Sequence, residues 1–133
     1  MFCRFVPRII YSSNTILAFF PHLLLLIMGK NIAKVTATFQ FCDGGSCRKA
    51  KSEIAIREAR AYLRNQGLWD DTHTIKTRCN GRCEDAPTWI VQPGNYWYKN
   101  LTPEKAIVII KSHTERNEPV EEHLLYKDGW SVL

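Results

Sequence analysis

The sequence lacks an apolar run long enough to cross a bilayer. Its most apolar stretch, Ile16 to Met28, is interrupted by Pro21 and His22 and falls short of the about 20 residues a spanning helix needs. It lacks a basic run interleaved with aromatics, so a net charge of +5 and a pI near 9.0 make little case for nucleic acid. It has no C-x2-C pair, the spacing used by dithiol–disulfide chemistry and by most zinc knuckles. No histidine is spaced with a cysteine pair, and there is no nucleotide-binding loop and no acid–base constellation suited to bond-making chemistry. With 133 residues there is room for one domain and a modest core.

What is present is a pattern of cysteines. Of five, four form two short pairs: Cys42-Asp43-Gly44-Gly45-Ser46-Cys47 and Cys79-Asn80-Gly81-Arg82-Cys83. Gaps of four and three residues, on loops carrying glycine, suit a thiophilic inorganic centre that the backbone must approach closely. Four thiolates on two loops can close a tetrahedral shell around iron or zinc. A small secreted domain would spend four cysteines on disulfides, but two tight pairs on separate loops fit metal better. Cys3 is left over and reads as a spare thiol. Arg48, Lys49 and Lys51 follow the first pair, and Lys76, Arg78 and Arg82 surround the second. Such cations would favour the more negative, reduced form of a thiolate-bound centre, or dock an acidic partner. Glu84 and Asp85 read as solvated loop residues, and His73, His113 and His123 as surface or structural.

Residues 1–33 differ in composition from the rest. Arg4 and Arg8 precede the apolar stretch, as in a signal peptide, yet no small-residue cleavage site follows. A membrane anchor is a second reading. A third makes Met28 the true start, with Met28-Gly29-Lys30-Asn31-Ile32 leading into the first strand.

The remainder reads as scaffold. Alternation predicts a strand over Val35 to Phe41 that runs into Cys42. Ala55, Ile56, Ala59, Tyr62 and Leu63 form an apolar stripe within a helix expected over Lys49 to Gln66 and stopped by Gly67. Strands are expected over Thr74 to Arg78, Thr88 to Gln92 and Asn95 to Lys99, the last two joined by a type II turn at Pro93-Gly94. Thr102, Pro103 and Glu104 are start signals for a second helix, expected to reach Thr114. Trp69, Trp89 and Trp97 read as core or strand-face residues, with Trp89 also placed to shield a centre held by the second pair. Residues 115–133 read as a charged tail, either loosely packed or serving a partner or the cysteine site. The fold class is α/β: a small mixed sheet of about four strands with two main helices, over residues 34–114.

The run Cys79-Asn80-Gly81-Arg82-Cys83-Glu84-Asp85-Ala86-Pro87 has the form C-x-G-x-C-x-x-A-P. With a C-x4-C pair after the first strand, it resembles the thioredoxin-like 2Fe-2S ferredoxins. These include the ferredoxin-like small subunit beside the flavin of respiratory complex I and related hydrogenases. Tyr98-Lys99-Asn100-Leu101-Thr102-Pro103-Glu104 is similar to the family's segment before its last helix. The resemblance covers Val35 to Thr114 and is to the ferredoxin domain alone, because residues 1–34 are too few and wrongly composed for that subunit's helical N-terminal domain.

The resemblance implies a thioredoxin-like fold and one 2Fe-2S cluster held by Cys42, Cys47, Cys79 and Cys83, one pair per iron. It implies that Gly81 lets the loop pass near the sulfides and that Pro87 sets the start of the hairpin. The function implied is one-electron transfer to redox partners rather than enzymatic catalysis, in the cytoplasm, without nucleic acid or membrane, and with a homodimer allowed. Three alternatives stay open: a zinc-binding structural or interaction module, a dithiol oxidoreductase, and an accessory subunit of an NADH-linked or hydrogenase-type complex.

Overall fold

The computed structural model describes residues 29–131; the readings made for residues 1–28, including Cys3 and the start at Met28, lie outside the described residues. In chain order the elements are β1 (Ala37–Cys42), α1 (Gly45–Lys49), α2 (Ser52–Asn65), β2 (Thr72–Thr77), β3 (Trp89–Gln92), β4 (Tyr96–Tyr98), α3 (Pro103–Lys111) and β5 (Leu124–Tyr126). The strands form one sheet in the order β2-β1-β3-β4-β5. β1 and β2 are parallel, joined through α2, and the other neighbours are antiparallel. The expected α/β class with a mixed sheet is therefore what forms.

The period-two pattern of β1 puts Ala37, Phe39 and Phe41 on the buried face and leaves Thr38 and Gln40 half-exposed. Register brings Phe41 opposite Trp89 and Phe39 opposite Val91, so the same face continues across the sheet. α2 lays Ala55, Ile56, Ala59 and Leu63 against it, and α3 adds Ala106, Ile109 and Ile110; these residues form one core with Tyr98 and Leu124. Trp89 is fully buried, its ring 4.3 Å from that of Phe41. It is a core residue, as Trp69 and Trp97 are partly buried flank and strand-face residues.

Local signals act as expected at several points. Thr102 caps α3 by accepting from the Lys105 amide, with Pro103 in the first turn. Gly67, at φ 69°, follows the end of α2, and Gly94, at φ 107°, sits in the β3–β4 turn. Three features differ from expectation. The first helix is two helices: Lys51 takes a left-handed conformation (φ 63°) and separates α1 from α2. The second helix ends at Lys111 and continues as a π turn over Ser112–Arg116, because the Ser112 hydroxyl bonds to the Glu118 carbonyl and draws the chain inward. The sheet has a fifth strand, drawn from the segment read as a charged tail. It forms because Leu124 enters the core and the Tyr98 hydroxyl accepts the Val120 amide, pinning that segment to β4.

His113 is structural, as its sequence context suggested. It is buried, and its Nε2 lies 2.7 Å from the Tyr98 hydroxyl. The same hydroxyl accepts from the Val120 amide, so it links His113 to the segment that leads into β5. Burial pushes Tyr98 up to about 12 and His113 down to about 4.

Candidate metal centre

The four paired cysteines arrive from four kinds of structure. Cys42 is the last residue of β1, and Cys47 lies within α1, where a single helical turn points it inward. Cys79 follows β2, and Cys83 opens a 3₁₀ turn over Cys83–Asp85. The end of β1 is tied to both neighbours: the Cys42 amide donates to Thr88 O at 3.2 Å and the Asp43 amide to Thr77 O at 3.0 Å. The two loops are thus fixed to adjacent strand ends at one edge of the molecule.

The loops touch. A Cβ built on Gly44 would sit 3.0 Å from both Cα and Cβ of Cys79, so the first loop passes against the second with no room for a side chain. α1 also packs on the Cys83–Asp85 turn. Gly81 has φ 81°, in the region glycine favours, and this turns its amide back to donate to Cys79 Sγ at 3.3 Å. Such a backbone donor stabilises a thiolate or a sulfur ligand.

The side chains form two pairs of different exposure. Cys79 and Cys83 are exposed, with sulfurs 3.5 Å apart. Cys42 and Cys47 are buried, at 3% and 2% exposure, and Cys42 Sγ lies 3.6 Å from Arg78 O. Burial acts to push the Cys42 thiol up, but the Gly44 and Asn80 backbone and the Cys47 and Thr88 side chains outweigh it and bring it below its ordinary value. Cys47 is pushed up by burial and by its neighbour Cys42. One thiol of this pair therefore ionises in preference to the other.

Among the described residues, no three His, Cys, Asp or Glu side chains converge as a single metal ion would require. The arrangement is two cysteine pairs on loops in contact. Two further observations suit an inorganic sulfur-rich group. Asn80 Nδ2 and Thr88 Oγ1 are buried without a partner of hydrogen-bonding geometry. Asn80 lies between the exposed cysteines, and Thr88 lies against both buried thiols. Each is a donor left over for sulfur acceptors. Neither was singled out in the sequence, where an asparagine in a loop and a threonine before a strand are commonplace.

The cations around the site are less free than their spacing suggested. Arg48 lies 2.9 Å and Lys76 3.5 Å from Asp43; Lys76 also meets Glu53 at 3.0 Å, and Arg82 meets Asp85 at 2.5 Å. Asp43 is held below the usual carboxylate range, chiefly by its hydrogen bond from Arg48. Asp85 is therefore an anchor of the second loop rather than a purely solvated residue. Lys49, Lys51 and Arg78 have no carboxylate within 4.0 Å among the described residues.

Comparison with known proteins bears on the fold and the class of cofactor. No protein-family model matches the chain. It is 37% identical over 86 residues to a protein of Priestia megaterium named as a 2Fe-2S ferredoxin, covering 65% of this chain and 67% of that one. It is 29% identical over 77 residues to a 2Fe-2S ferredoxin of Clostridium pasteurianum, covering 58% of this chain and 76% of that one. The fold matches a thioredoxin-like [2Fe-2S] ferredoxin from Aquifex aeolicus with a TM-score of 0.68 and 22% identity, over 74% of this chain and 98% of that one.

Proposed function

Because the chain belongs to the thioredoxin-like 2Fe-2S ferredoxins, which are one-electron carriers, we propose that Cys42, Cys47, Cys79 and Cys83 are the residues that hold its cluster. The observation that carries this assignment is the pairing itself: two chelating cysteine pairs on two loops that meet where Gly44 abuts Cys79. Cys42 and Cys47 would hold one iron, and Cys79 and Cys83 the other. The bound cluster supplies reversible one-electron chemistry, and the chain's own residues do the rest. The Gly81 amide donates to Cys79 Sγ, and the Thr88 hydroxyl and Asn80 amide would donate to the sulfur of a bound cluster and favour its more negative state. The buried pair excludes water from one side, and the exposed pair gives partners an approach on the other.

The chain passes electrons to redox partners. The partner we propose presents an acidic surface to Lys49, Lys51 and Arg78, the cations near the site that lack a carboxylate among the described residues. Among the described residues no helix is long and apolar enough to cross a membrane. Residence in the cytoplasm is the proposed setting, since thiolates that must accept iron need a reducing compartment.

Anaerobic purification of the full chain, with iron and acid-labile sulfide analysis, visible absorption and electron paramagnetic resonance after reduction, tests the assignment. About two irons and two sulfides per chain, depleted in each of C42S, C47S, C79S and C83S, is the expected result. A colourless protein with one zinc, or a serine variant that keeps a full and spectroscopically unchanged cluster, would overturn it.

A further inference from the structure

The two cysteine pairs differ in how an oxidant would reach them. Cys79 and Cys83 are exposed and their sulfurs are 3.5 Å apart, whereas Cys42 and Cys47 are enclosed by the sheet end and α1. Three residues separate Cys79 from Cys83, the glycine among them has positive φ, and the loop beyond is held by the Arg82–Asp85 ion pair and by the Asn100 amide on Asp85 O at 2.9 Å. Closing a bond between these sulfurs asks for a movement of about 1.5 Å, given a disulfide length near 2.05 Å. The buried pair has no comparable access.

We propose that, in the cluster-free protein, Cys79 and Cys83 form a reversible disulfide that gates cluster acquisition. The inference rests on the assignment of these cysteines as ligands. The oxidant is a low-molecular-weight disulfide such as oxidised glutathione. One cysteine thiolate attacks it, forming a mixed disulfide and releasing one small thiolate. The second cysteine thiolate then attacks the protein-bound sulfur, closing the Cys79–Cys83 bond and releasing the other. The two protons lost by the protein thiols end on the two small thiols released, so the protein loses two hydrogens and the small disulfide gains them. The bond removes two of four ligands while leaving the inner pair intact, and a small dithiol restores them.

The test uses full-length protein carrying C3S, so that four cysteines remain to be mapped. It is stripped of iron under reducing conditions, checked by circular dichroism to be folded, and equilibrated in graded ratios of reduced to oxidised glutathione. Free thiols are then alkylated before and after denaturation and mapped by peptide mass. The expected map shows a Cys79–Cys83 link with Cys42 and Cys47 unmodified until the chain is unfolded. The C83S variant should instead collect one glutathione on Cys79. The oxidised protein should take up no iron and sulfide until dithiothreitol is added. A link involving Cys42 or Cys47, exposed thiols that stay reduced under oxidising ratios, or unchanged cluster uptake by the linked form would each overturn the gate. Failure of the ligand assignment reads separately, as a full and spectroscopically unchanged cluster in C79S and C83S purified anaerobically.

Discussion

Gly44 does more for the site than its lack of a side chain suggests from sequence. Its φ of −71° is open to any residue; what requires glycine is the Cys79 backbone 3.0 Å from where a Cβ would be. Gly44→Ala should fold, lose about 1–3 kcal/mol through overpacking, and lose its visible absorption in air faster than the wild type. An unchanged bleaching rate would mean that the two loops separate without consequence. His113 carries a second residue-scale prediction. Its pKa of about 4 in the folded state lies below the about 6.5 of an unfolded imidazole, so the unfolded chain binds the extra proton between these values. Stability is then full above about pH 6.5 and falls as pH drops toward 4, by on the order of 3 kcal/mol. Urea denaturation at pH 7 and pH 4.5 should show this loss in the wild type and a smaller one in H113Q; equal losses would remove His113 as the cause. The cysteine spacing was legible because metal chelation needs short gaps. The partners of those cysteines were not, because Thr88 and Asn80 meet them only through packing.

At the scale of elements, boundaries moved where a local preference was overridden. Lys49 to Gln66 carries no glycine or proline, so one helix was the natural expectation. The chain breaks at Lys51 so that α1 can turn Cys47 inward while α2 lays its stripe on the sheet. A left-handed lysine is strained, and Lys51→Gly should stabilise the fold by about 0.5–1 kcal/mol without altering iron content; a destabilised variant would show that the lysine side chain matters more than its backbone. β5 is the larger departure. Its three residues, Leu124–Tyr126, are too few to announce a strand within a charged segment. Leu124→Ala should cost about 2–4 kcal/mol, in line with a buried leucine, measured as a fall in the denaturation midpoint. A change typical of an exposed residue would return the segment to the status of a loose tail.

For the molecule as a whole, the sheet order sets which loops become neighbours. β1 lies between β2 and β3, so the loop after β1 is flanked by the loop after β2 and by the chain entering β3. This brings residues about thirty-five positions apart in sequence to one edge. The same placement sets the charge that a partner meets. With Arg48, Lys76 and Arg82 engaged by carboxylates, the field at the site is weaker than six cations would give. If Lys49, Lys51 and Arg78 dock an acidic partner, electron transfer should slow as salt is raised, because pairs at an exposed surface are screened over about 8–10 Å. The triple K49Q/K51Q/R78Q variant should be slower at low salt and less sensitive to salt. Stopped-flow reduction across ionic strength measures both, and a rate independent of salt in the wild type would dismiss the docking surface.

The sequence alone determined the α/β class, the apolar faces of β1 and α2, the cap of α3 and the grouping of four cysteines into two short pairs, because periodicity, capping and short gaps are local and span a few residues. Tertiary structure alone decided that one cysteine pair is buried and the other exposed, that half of the nearby cations are already paired, and that a charged tail completes the sheet. Each of these depends on which strand ends become neighbours, and that follows from core packing over the whole chain.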